Sequence, residues 1–152
     1  MEPGQMGEST TLILVSPFEE DRACLKRMLG DSPWRLCWAP SRQEALGAIR
    51  DGRIAVVISE TDLPEGNWKD VLSQLDGVAH PPLLIVASRH ADNRLWAEVL
   101  NLGGYDVLAK PFDGTEVVRV IRLACQQWQR DLGRKVSRRA TNGEKEGRHE
   151  LS

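Results

Sequence analysis

No apolar run in this sequence approaches the roughly 20 residues that a membrane-spanning helix needs, so no membrane association is expected. Residues 1–10 carry neither a basic stretch nor an apolar one, which argues against a secretory signal and predicts a disordered N-terminus. Cysteine is sparse: three stand at positions 24, 37 and 125, with no C-x-x-C pair. Each sits in an apolar pattern, so reduced core thiols in a cytoplasmic protein are expected. Positive charge is not in excess, with 20 Lys and Arg against 22 Asp and Glu and a formal net charge of −2. That balance gives no ground for nucleic-acid binding. His80, His90 and His149 are scattered, and no H-E-x-x-H, G-x-G-x-x-G or G-x-x-x-x-G-K-[ST] motif occurs. The sequence therefore offers no metal-hydrolase, dinucleotide or P-loop signature.

What is present is a chain of 152 residues, 41% hydrophobic and 28% charged, which suits one soluble domain with a real core. Residues 11–15 are a short apolar run without polar alternation, as a strand buried on both faces reads. Ser16-Pro17-Phe18-Glu19 predicts a capping-box helix start, with Cys24, Leu25, Met28 and Leu29 on the apolar stripe. A second strand is expected over 34–38, then a helix opened by Ser41 and Glu44. Residues 54–58 are the clearest strand, followed by a loop with Pro64 and Gly66 and a helix from about Asn67 to Leu75. Leu83 to Ala87 reads as a fourth strand, Asp92 to Leu102 as a helix ended by Gly103-Gly104. Tyr105 to Ala109 reads as a fifth strand, and Asp113 caps a last helix reaching Leu132. Residues 133–152 are polar and charged without apolar periodicity and are expected to be a disordered tail.

Strict β-α alternation implies an α/β fold: a doubly wound, five-stranded parallel sheet with helices on both faces. The functional crevice of such folds lies beyond the carboxyl ends of the strands. That places Ser16 and Pro17, Glu60, Ser88 and Lys110 around one site, each being at or just past a strand end.

Four stretches in this order carry a family resemblance: Glu60-Thr61-Asp62-Leu63-Pro64-Glu65-Gly66, Ser88, Gly103-Gly104 and Lys110-Pro111-Phe112. With the predicted elements, they make residues 11–132 resemble the CheY-like receiver domain of two-component response regulators. The resemblance implies the flavodoxin-like (βα)5 fold with strand order 2-1-3-4-5. It implies phosphoryl transfer from a histidine kinase to an Asp after strand three, a Mg²⁺ ion held by an acidic pair after strand one, and a hydroxyl and a Lys that contact the phosphoryl group.

The sequence departs from that pattern at the chemistry. Ser16 and Pro17 stand where the acidic pair belongs, and neither replaces a carboxylate as a Mg²⁺ ligand. No cofactor is expected, with weak Mg²⁺ binding at most. Glu19, Glu20 and Asp21 fall too late for the pair and read as favourable charge at a helix N-terminus. Glu60 occupies the acceptor position, and its extra methylene displaces the carboxylate from the geometry that attack needs. Glu60 could pair with Lys110 and accept from Ser88, either as a permanent stand-in for the phosphorylated state or merely as a neutraliser of Lys110 in a vestigial pocket. Val107 falls at the position of the family's aromatic switch residue, with Tyr105 two residues away on the same face.

Five tryptophans are many for this length. Trp34 and Trp38 are spaced to share one side of a strand. Trp96, Tyr105 and Trp128 fall on the helix 4–strand 5–helix 5 surface, which the resemblance implies is a partner or dimer face. The reading reached is a stand-alone, non-enzymatic signalling module acting by protein–protein contact, with a histidine kinase, another regulator or a second copy as partner. Two rivals stand beside it: a kinase-driven, Mg²⁺-dependent receiver, and a small α/β ligand-binding protein unrelated to phosphorelay.

Overall fold

A computed structural model describes residues 10–151, with side chains described for residues 10–134; the expectation for the first nine residues lies outside that range. The elements are β1 (Thr11–Val15), α1 (Glu19–Met28), β2 (Arg35–Ala39), α2 (Arg42–Arg50), β3 (Ile54–Glu60), two short strands β4 (Asp62–Leu63) and β5 (Gly66–Asn67), α3 (Trp68–Gln74), β6 (Leu83–Ser88), α4 (Asn93–Leu102), β7 (Asp106–Ala109) and α5 (Gly114–Leu151). A 3-10 turn at Leu75–Gly77 follows α3.

Five strands form one parallel sheet in the order β2-β1-β3-β6-β7. This is the expected 2-1-3-4-5 order, renumbered because the antiparallel β4–β5 hairpin interposes two strands. The hairpin was not foreseen. Gly66 at φ 150° permits its turn, and a Cβ there would strike Asp70, whose carboxylate accepts from Asn67 N at 2.9 Å.

Alternation along each buried strand splits the core in two. Leu12, Leu14, Val56 and Ile58 face α1 and α5, packing with Leu25, Val117 and Ile121. Ile13, Val15, Val57 and Val86 face α2, α3 and α4, packing with Ile49, Val71 and Val99. Every residue of β3 is buried, as befits a central parallel strand. Each such aliphatic side chain contributes about 1.5–3 kcal/mol relative to exposure.

Three local expectations are corrected. The capping box at Ser16 does not form: α1 begins at Glu19, and its N-cap Phe18 makes no side-chain cap bond. Tyr105 and Val107 do not share a face. Tyr105 precedes β7 and packs against the α1/α5 cluster, whereas Val107 lies in the other. The last helix continues to Leu151, where residues 133–152 were expected to be a disordered tail. No proline follows Pro111 to stop it, and Lys, Arg and Glu, all good helix formers, recur in residues 133–151. No helix among the described residues is long and apolar enough to cross a membrane.

Candidate functional site

In this strand order the connections reverse direction between β1 and β3, the topological switch point where open α/β sheets bind their ligands. The carboxyl ends of four strands deliver polar residues there. Ser16 follows β1, Glu60 ends β3, Ser88 ends β6 and Lys110 follows β7. All four are buried, in contrast to ordinary surface polar residues. Lys110 N donates to Ser88 O at 2.9 Å, which carries the β6–β7 pairing one residue further and aims the lysine inward.

Lys110 is the centre of the site. Its Nζ donates to Glu60 Oε1 at 2.9 Å and to Asp21 Oδ2 at 2.9 Å. The lysine side chain is 4% exposed, and those of Asp21 and Glu60 are 8% and 10% exposed. Removing such ions from water is expensive, and mutual pairing with good geometry offsets that cost. Ser16 Oγ donates to Asp21 Oδ2 at 2.9 Å and accepts from Phe18 N at 3.1 Å, so the serine orients the aspartate. The Phe18 ring lies over the ammonium, with Nζ 5.0 Å from its centroid. At the rim, Arg89 reaches Glu20 at 3.5 Å.

Asp21 is the residue that the sequence reading misplaced. It is not merely charge at a helix N-terminus: it is buried and is the second anion on Lys110. The signal was available, because Asp21 stands four residues before Leu25, on the same helical face as that fully buried residue. Glu60 pairs with Lys110 as expected, but the bond expected from Ser88 is absent. Ser88 Oγ accepts instead from His90 N at 2.9 Å, and Glu60 Oε2 is buried without a partner. The fixed cluster is therefore Asp21, Glu60 and Lys110 rather than Glu60, Ser88 and Lys110. Pro17 contributes no polar side-chain atom, and Pro111 continues the chain from Lys110 through a cis peptide bond.

Of the aromatic residues expected on the α4–β7–α5 surface, Trp96 is 50% exposed. Tyr105 and Trp128 are half-buried and packed against the core, and Trp128 stacks on His80 with centroids 4.4 Å apart. The family resemblance placed all three on that surface, but Tyr105 and Trp128 turn toward the core cluster and leave Trp96 as the exposed aromatic residue of the three.

Fold and site together define a doubly wound α/β domain whose switch-point pocket is built around a buried lysine. The response regulator receiver domain model matches residues 13–122, and the chain belongs to that family. It is 29% identical over 118 residues to TcrX of Mycobacterium tuberculosis, covering 76% of this chain and 50% of TcrX. It is 28% identical over 112 residues to the transcriptional regulatory protein CpxR of Klebsiella pneumoniae, covering 73% of this chain and 47% of CpxR. The chain thus spans about half the length of these curated relatives. Among solved structures, the signal receiver domain of an HD domain-containing protein from Pseudomonas fluorescens superposes with a TM-score of 0.75 at 24% identity, over 84% of this chain and 94% of that one. Receiver domains are signalling domains that work through contact with other proteins such as kinases and regulators.

The Mg²⁺ ion that the family implies does not fit the side chains of this pocket. Ser16 spends its hydroxyl on Asp21, Pro17 has no donor atom, and both carboxylates are bonded to Lys110. Among the described residues no group of three His, Cys, Asp or Glu side chains is placed to hold a metal ion.

Proposed function

We propose that this receiver domain signals without phosphorylation and without Mg²⁺, through protein contacts made by a pocket held permanently in one charge state. The observation that carries this reading is the buried Lys110 ammonium, 2.9 Å from both the Asp21 and the Glu60 carboxylates. An incoming phosphoryl group would need that lysine and a metal cation to neutralise its oxygens. Here the lysine is already engaged by two anions, and no acidic pair supplies a metal site. Glu60 acts as a fixed partner of Lys110, and Asp21 takes the place of an effector-dependent negative charge. The partner surface in this reading is α4, β7 and the start of α5, with exposed Trp96 as its aromatic anchor. The partner is a kinase, another regulator or a second copy docking there.

One observation favours a second reading, a working Mg²⁺-dependent receiver with Glu60 as acceptor: Glu60 Oε2 is buried and unbonded, so one oxygen is free to react. Titration with beryllofluoride, with and without Mg²⁺, separates the two by amide NMR. The proposal expects no change at Ser16, Glu60, Ser88 or Lys110. Saturable, Mg²⁺-dependent shifts at those residues would establish the second reading instead.

A further inference from the structure

Away from the pocket, on the α1–β2 edge of the sheet, the structure holds a cleft of about 350 Å³ with Leu29 and Leu36 among its walls. Trp34 and Trp38 enter it from β2 and its approach. They are four residues apart, and both pack on the α1/α5 side of the sheet. Arg22 and Lys26 enter it from α1, also four residues apart and so neighbours on one helix face. The Arg22 guanidinium lies 4.8 Å from the Trp38 ring centroid. Among the described residues no acidic side chain lines the cleft. Among the described residues neither Arg22 nor Lys26 has a carboxylate within ion-pair distance, in a chain whose net charge is −2. The indole of Trp38 is held in place, since its Nε1 donates to Ser16 O at 2.9 Å.

We infer that this cleft is a binding site for a mononucleotide, whose base stacks on the Trp34 indole while its phosphate is taken by Lys26 and Arg22. The inference goes beyond the reading of the pocket and rests on different residues. Two cations with no counter-ion among the described residues favour an anion. Charge-assisted hydrogen bonds to phosphate are about twice as strong as neutral ones. Indole faces beside them add sequence-tolerant stacking on a flat ring. A ligand with only one of these features would leave the other half of the cleft unused. The volume lies near the lower end of the roughly 300–1,000 Å³ that small-ligand sites span, which suits one nucleotide unit rather than a dinucleotide. The fixed Trp38 ring with Arg22 stacked on it gives the cleft a pre-formed wall, which lowers the ordering cost of binding.

The test is a titration of the full chain with AMP, read by tryptophan fluorescence and by amide and indole NMR shifts, with adenosine and inorganic phosphate as separate arms. Saturable shifts confined to Arg22, Lys26, Trp34 and Trp38 are expected, with adenosine and phosphate each binding more weakly than AMP. Lys26→Glu, at an exposed position that does not disturb the core, should weaken AMP on the order of tenfold. Trp34→Ala should weaken it about five- to a hundredfold. Absence of saturable shifts at millimolar AMP overturns the inference. So does a Lys26→Glu protein that binds AMP like the parent, or inorganic phosphate that binds as tightly as AMP.

Discussion

Replacing Lys110 with methionine tests the account of the pocket at its centre. The substitution keeps a long unbranched side chain and removes the charge. Each 2.9 Å contact from Nζ represents about 6 kcal/mol of attraction at an effective dielectric of about 20. Most of that is set against the several kcal/mol that each buried ion loses in desolvation. Removing the lysine forfeits the attraction and leaves the desolvation of Asp21 and Glu60 in place, together with their mutual repulsion. The expected loss is about 3–5 kcal/mol of folding stability. Against a typical total of about 5–15 kcal/mol, the variant stays folded but with a much lower urea midpoint at unchanged slope. Lys110→Met combined with Asp21→Asn and Glu60→Gln should recover part of the loss, because the uncompensated charges are gone and the effects are coupled. A Lys110→Met protein within about 1 kcal/mol of the parent would refute the reasoning, since it would mean that neither carboxylate depends on the lysine.

Three further outcomes follow from the same structure. Glu60→Gln keeps the shape but weakens a charge-assisted bond to Lys110, so a loss of about 1.5–3 kcal/mol and amide shifts at Lys110 and Ser16 are expected, read by denaturation and NMR; an unchanged pocket would remove Glu60 from any signalling role. Gly104→Ala places a Cβ against the Val99 side chain and backbone and should cost about 1–3 kcal/mol in a thermal melt, because the well-packed turn cannot give way. Burial pushes the Cys125 thiol up to about 12, so at pH 8 it should react with a thiol reagent far more slowly than half-buried Cys24 and Cys37, and only after unfolding at the rate of a free cysteine.

How much of this protein was legible beforehand depends on the range of the interaction that decides each feature. The three central strands were readable because β1, β3 and β6 each contain a short, β-branched-rich apolar run bounded by turn residues, the pattern of a strand buried on both faces. The end of α4 was readable because Gly103, at φ 108°, is the residue type that a left-handed cap selects. The start of α1 was misread for the converse reason. Ser16 has the right identity and spacing for a cap, but its hydroxyl is drawn to Asp21 and the Phe18 amide, a choice between competing partners that spacing does not resolve. The β4–β5 hairpin was missed because two-residue strands carry no periodicity.

The sequence by itself determined the fold, the end of the sheet at which chemistry sits, and the presence there of Glu60, Ser88 and Lys110, because strand burial and strand ends are local patterns of residue type. Through the family resemblance it also put Ser16 and Pro17 where an acidic pair is expected after β1. Only the tertiary structure decided which groups meet. Asp21 and Lys110 are 89 residues apart in the chain, and α1 must pack on the sheet before the aspartate can reach the ammonium. The same packing joined Arg22 and Lys26 to Trp34 and Trp38 around one cleft. Hydrogen bonds and ion pairs act over about 3 Å in space whatever the separation along the chain, so their partners are chosen by how the helices dock on the sheet.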